Sequence, residues 1–184
     1  MDSCRIVVSF GVVLLVFGQA SAQTPQRPRA VSPSAQIVRS AGEYLAPNGR
    51  CKAVLATAAM GGFLVLTVTD RAHKVVKADD VSGMSWIGDA TLVYTTSPIY
   101  GVPGLYRYHC GSKAEARIVA PKTMTEANPD GADYFELEGV SMGPPATIYF
   151  YYSPDVERTD FKKFRTREFL YQVRLDGTDL KHIE

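Results

Sequence analysis

The sequence predicts an all-β domain built from three blade-like, four-stranded antiparallel units. Three observations carry that prediction. Short β-prone runs recur from about residue 37 onward, broken by turn residues at close spacing, with hardly any 3.6-residue periodicity. The chain also repeats itself: Gly83-Met84-Ser85 leads into Ala90-Thr91-Leu92-Val93-Tyr94-Thr95-Thr96-Ser97-Pro98. Fifty-six residues on, Gly139-Val140-Ser141 leads into Ala146-Thr147-Ile148-Tyr149-Phe150-Tyr151-Tyr152-Ser153-Pro154 without a gap. Each copy is followed by a matching run, Leu105-Tyr106-Arg107-Tyr108 and Leu170-Tyr171-Gln172-Val173. A tandem period of this size marks supersecondary units that bury their apolar faces only by stacking.

The first 22 residues read as a secretory signal. Arg5 precedes an apolar run from Ile6 to Phe17, and Ala20-Ser21-Ala22 has the small-x-small form of a cleavage site. That run is too short for a stable membrane-spanning helix. Cleavage leaves about 160 residues, one domain by length. Residues 23–36, with Pro25, Pro28 and Pro33, read as an extended linker, and the β domain runs from 37 to 184. The expected compartment is periplasmic or extracellular.

The strands fall into three sets of four. The first set is Val38 to Ala46, Cys51 to Ala58, Phe63 to Thr69 and His73 to Lys77, with Pro47-Asn48-Gly49, Met60-Gly61-Gly62 and Asp70-Arg71 as turns. The second is Gly83 to Ile87, Thr91 to Thr96, Gly104 to His109 and Ala116 to Val119. The third is Phe135 to Ser141, Thr147 to Tyr152, Glu168 to Leu175 and Leu180 to Ile183, closed by the hairpin signal Asp176-Gly177-Thr178-Asp179.

Ala46-Pro47-Asn48-Gly49-Arg50 followed by Ala53-Val54-Leu55 resembles the turn and second strand of TolB-type (WD40-like) β-propeller repeats. Leu170-Tyr171-Gln172-Val173-Arg174-Leu175-Asp176-Gly177 is similar to the third strand and turn of the same repeat. The resemblance covers about residues 37 to 184 and implies a partial or small propeller of three degenerate blades. Gly88-Asp89 replaces the consensus turn in the second unit and Gly143-Pro144-Pro145 in the third. A β-sandwich with Greek-key wiring is the alternative. Three blades leave two end faces without a neighbour, and apolar faces of that size mark interfaces.

Composition excludes some functions. Lys and Arg number 20 against 19 Asp and Glu, a net charge of +1, so there is no basic field for nucleic acid. No segment after the signal has the length and apolarity of a membrane span. Gly139-Val140-Ser141-Met142-Gly143 has the spacing of a nucleophile elbow, but that device needs a strand turning into a helix, and here Pro144-Pro145 and a strand follow. His73, His109 and His182 lie on different strands or turns with no ligand spacing, so no metal site is expected, and each reads as solvent-facing. Glu126, Asp130, Asp133, Glu136 and Glu138 cluster without the spacing of a calcium loop and read as a solvated connection. No catalytic residue and no cofactor is expected.

Cys51 and Cys110 remain once Cys4 leaves with the signal. Either they are bridged or they are two small buried apolar groups. The predicted strands put both at one rim of adjacent blades, compatible with a bridge. The connection between the second and third strands of the last unit is nine residues longer than its counterpart. It holds Arg158, Phe161, Lys162, Lys163, Phe164, Arg165 and Arg167, a candidate partner-binding loop offset by Asp155, Glu157, Asp160 and Glu168. Tyr149, Phe150, Tyr151, Tyr152 and Tyr171 fit inter-blade core better than a sugar platform. These features point to a non-catalytic module that binds a protein partner or itself through uncovered blade faces. Alternatives are a carbohydrate- or cell-wall-binding module and the remnant of a propeller domain that accompanies a peptidase.

Overall fold

The computed structural model describes residues 35–112, 114–125, 133–154 and 169–183. The alternating apolar runs form three separate four-stranded antiparallel sheets, each a meander, with no Greek-key exchange between them. The first is β1 (Gly42–Leu45), β2 (Cys51–Thr57), β3 (Leu64–Asp70) and β4 (His73–Ala78). The second is β5 (Val81–Ile87), β6 (Thr91–Thr96), β7 (Gly104–His109) and β8 (Ala116–Val119). A short 3₁₀ turn at Pro121–Thr123 leads on to the third sheet. That sheet is β9 (Tyr134–Ser141), β10 (Thr147–Ser153), β11 (Phe169–Arg174) and β12 (Lys181–His182).

The matched stretches occupy like positions. Leu92 pairs with Tyr108 in the second sheet as Ile148 does with Val173 in the third, while the preceding strands share the same order with a register two residues apart, Ser85 facing Val93 and Ser141 facing Thr147. The duplication in sequence is therefore a duplication of topology.

The second sheet is covered on both sides. Its Met84, Leu92, Tyr94 and Tyr108 form one core with Ala53, Leu55, Leu66 and Val68 of the first sheet. Its Ile87, Val93, Leu105 and Val119 form another with Phe135, Leu137, Ile148, Phe150 and Tyr171 of the third. Period-two alternation makes this arrangement work, because successive side chains serve opposite faces. Polar atoms tie the second interface as well. Thr95 Oγ1 accepts the Leu137 N–H at 3.2 Å, Ser82 Oγ donates to the Phe135 carbonyl at 2.6 Å, and Arg107 donates to the Leu175 carbonyl at 2.7 Å.

Two local expectations are corrected. The first strand begins at Gly42, not Val38: Val38 instead exchanges two backbone hydrogen bonds with Met84, at 2.8 and 3.0 Å. Residues 36–38 thus line the free edge of β5, where Ser85 Oγ also donates to the Gln36 carbonyl at 2.9 Å. The β3–β4 turn is Arg71-Ala72, not Asp70-Arg71. Asp70 belongs to β3 and pairs with His73, while Arg71 (φ 48°) and Ala72 (φ 69°) both take left-handed conformations. Such a two-residue primed turn matches the twist of its strands.

The two end faces are not alike. The first sheet turns Lys52, Val54, Val65, Thr67 and Thr69 away from its neighbour, and its last strand is bulged at Val75, opposite Val68 and Thr69, and carries exposed Lys74, Val75 and Lys77. The expected apolar face is replaced there by lysine, threonine and small aliphatic side chains.

Candidate functional site

Ser141 ends β9, and Met142 to Ala146, with a cis Pro144–Pro145 bond, connect it to β10. The strand-to-helix geometry of a nucleophile elbow is not what surrounds it. His73 and His109 are exposed; His109 Nδ1 shares a hydrogen bond with Thr91 Oγ1 at 3.0 Å, and exposed His182 stacks on Tyr171 with ring centres 5.0 Å apart. Among the described residues no group of three or more His, Cys, Asp or Glu side chains has metal-binding geometry. A cleft of about 330 Å³ is lined by Lys77, Asp79, Tyr94, Thr96, Tyr106 and Glu115, and in it the Thr96 hydroxyl donates to the Val102 carbonyl at 2.5 Å.

The acidic cluster separates into parts. Asp133 is not a solvated linker residue: it is buried and accepts the Tyr152 hydroxyl. Glu136 and Glu138 flank Arg39, whose guanidinium lies 3.4 and 3.6 Å from them and donates to the Leu137 carbonyl at 2.5 Å. Glu126 and Asp130 lie outside the described residues, as does the candidate loop with Arg158, Phe161, Lys162, Lys163, Phe164, Arg165 and Arg167.

One rim staples the first two sheets. Cys51 and Cys110 form a disulfide with their Cα atoms 6.0 Å apart, so the bridged alternative is the one observed. Beside it, Asp70 is nearly buried and collects three donors. Its Oδ1 accepts Arg50 Nε at 2.8 Å, and its Oδ2 accepts the Gly111 N–H at 2.6 Å and the Tyr108 hydroxyl at 3.1 Å. Arg50 foremost, with the Gly111 and Tyr108 bonds, holds the Asp70 carboxyl below its ordinary value against the effect of burial. Burial and the Asp70 carboxylate push the Tyr108 hydroxyl above its ordinary value. Nothing in this hub opens toward a substrate; it is structural.

The remaining feature is the outward face of the third sheet. In the repeat, Val93, Thr95 and Leu105 correspond to Tyr149, Tyr151 and Leu170. The first three are fully buried beneath the third sheet, whereas the second three are only half-buried, on the side away from the second sheet. Phe150, Tyr152 and Tyr171 point the other way, into the core as expected, whereas Tyr149 and Tyr151, expected there too, fall on the outward face because side chains alternate along β10. At one edge of the face, Glu136 and Glu138 outnumber Arg39. At the opposite edge, Arg174 and Lys181 lie 3.5 and 2.8 Å from the single carboxylate of Asp179.

Sequence reasoning missed both charged triads and the Asp70 hub. The tyrosines carried a readable signal: at two equivalent positions of the repeat, Val and Thr give way to much larger aromatics.

No family model matches this chain, and no curated protein does either. Among solved structures, one similar chain is assigned to TolB of Agrobacterium tumefaciens, at 15% sequence identity and a TM-score of 0.42. The match covers 76% of this chain and 44% of that one, so the chain spans less than half its length. The description of three blade-like sheets stands on this chain's own strand order and register.

Proposed function

We propose that this chain is a non-catalytic, exported docking module that binds protein through the outward face of its third sheet. One observation carries the reading. The face occupied by Tyr149, Tyr151 and Leu170 is the repeat equivalent of the face that, one unit earlier, is wholly covered by a neighbouring sheet. A surface whose counterpart is built to be covered, and which carries rigid aromatics with a polar tip, has the composition of an interface core. Charged triads at its two edges supply a polar rim.

Export is supported by the signal-like N-terminus and by the Cys51–Cys110 bridge, which persists in oxidising compartments. The position of Ser141 at the end of β9, followed by a proline turn and another strand, supports the non-catalytic reading.

A photo-reactive side chain placed at Gln172 in the living cell tests the proposal against the same group at Thr67, on the outward face of the first sheet. Protein adducts are expected from position 172 and not from 67. Equal adducts from both, or none from 172, would overturn it.

A further inference from the structure

We infer that the partner of this face is a second copy of the same chain, joined face to face about a two-fold axis. The inference rests on the docking reading above and names the occupant. Its basis is the charge pattern across the third sheet, whose strand order is β12-β11-β10-β9. The β9 edge carries two carboxylates, Glu136 and Glu138, against one guanidinium, Arg39. Among the described residues the β12 edge carries two cations, Arg174 and Lys181, around the Asp179 carboxylate, with Asp176 in the adjoining turn close to Arg174. Carboxylates thus dominate the β9 edge and Lys181 stands on the β12 edge, with Tyr149, Tyr151 and Leu170 between them.

A two-fold axis parallel to the strands, running between β10 and β11, exchanges β9 with β12 and β10 with β11. The register then fixes what meets. Tyr151 pairs with Leu170 within the sheet, so the axis lays Tyr151 of one copy over Leu170 of the other. Tyr149 likewise comes over Gln172, which is itself paired with Lys181. Glu138 is the extra residue of the β9 bulge, inserted opposite the step from Tyr149 to Phe150, and so stands at nearly the same height as Lys181. Glu138 of one copy and Lys181 of the other therefore meet twice, once at each side of the axis. An isologous contact needs this kind of self-complementarity.

The alternative use of a second copy, third sheet against first, lacks it. The first sheet offers Val54 and Val65 to such a contact only among Lys52, Thr67 and Thr69, with Lys74 and Lys77 at its edge. Size sets the expected strength. Three strands of about six residues and the two-residue β12, about 4.8 Å apart at about 3.4 Å per residue, give a face of roughly 330 Å². A pair then buries on the order of 650 Å², below the range of stable complexes, so a weak, concentration-dependent dimer is expected.

Sedimentation velocity of the purified chain over the micromolar to sub-millimolar range reads this directly. A monomer–dimer equilibrium weakened by added salt is expected. Lys181→Glu and Glu138→Lys each confront like charges across the interface and should weaken the dimer at least tenfold. The double variant Glu138→Lys with Lys181→Glu restores opposite charges and should recover it. Both positions are exposed, and circular dichroism of each variant checks that the sheets remain. A wild-type chain that stays monomeric at every concentration overturns the inference. So does a dimer indifferent to both single changes, or a double variant that stays dissociated. The cross-linking experiment remains separate: adducts at position 172 with the mass of a different protein would keep the docking reading while removing self-pairing.

Discussion

The Tyr108 hydroxyl donates to Asp70 Oδ2 at 3.1 Å across the junction of the first two sheets, with both residues buried. The bond gives stability a pH dependence at both ends. Asp70 has its carboxyl held below the ordinary value of 3.8, so its contribution is complete above that value and is lost as pH falls through the folded-state value. Tyr108 has its hydroxyl raised above the ordinary value of 10.0, so its contribution is complete below pH 10 and is lost as pH rises further. Urea midpoints measured across the acid range should fall below about pH 4 in the wild type. Asp70→Asn should be less stable at neutral pH and show a shallower acid slope. Tyr108→Phe should lower the neutral midpoint yet keep an acid slope, because Arg50 and Gly111 still hold the carboxylate.

Reduction should weaken the same junction. The disulfide closes a loop between residues 59 apart, which the chain-entropy model values at about 4 kcal/mol. Replacing Cys51 and Cys110 by alanine should lower the unfolding free energy by roughly that amount. Dithiothreitol should shift the wild-type urea midpoint toward the variant's and leave the variant unchanged.

Two glycines with positive φ separate backbone strain from crowding. Gly49 (φ 67°) has open space where a Cβ would stand, so Gly49→Ala should cost about 1 kcal/mol. At Gly111 (φ 93°) the same atom would lie 2.8 Å from the Arg50 guanidinium that grips Asp70. Gly111→Ala should therefore cost about twice as much or more, since it displaces a hydrogen-bonded charge as well as straining the backbone. Thermal or urea unfolding of the two variants side by side gives the comparison.

The Arg71-Ala72 turn offers a stabilising change. Both residues hold left-handed conformations without being glycine or asparagine. Ala72→Gly should raise the unfolding free energy by about 0.5–1 kcal/mol, read from urea melts at constant m.

The sheets were legible because their strands alternate with a two-residue period and the first two strands of the second and third units align without a gap. Val38 misled for a physical reason: its segment is extended and partly apolar, like a strand, but its hydrogen bonds go to Met84 of another sheet. Arg71-Ala72 was missed because nothing in those residue types announces a positive φ. Asp70 was read as a turn residue, which is the common use of aspartate between strands; its three donors arrive from residues 20 to 41 positions away in sequence. The candidate face was half legible. Tyr149 and Tyr151 stood in the aligned repeat opposite Val93 and Thr95, whereas the Arg39 and Asp179 triads depend on turns and crossings that only the folded chain assembles.

The outermost strand of the first sheet, β4, has a further consequence. Its unpaired backbone edge would be a template onto which other extended chains could add, the usual first step toward fibrils. Lys74 and Lys77 place a positive charge near each end of that edge, and the irregular register at Val68–Thr69 spoils its flatness. Neutralising both lysines should leave the monomer's stability almost unchanged while shortening the lag before thioflavin-positive aggregation. The lysines' value lies in the states they forbid rather than in the one they hold.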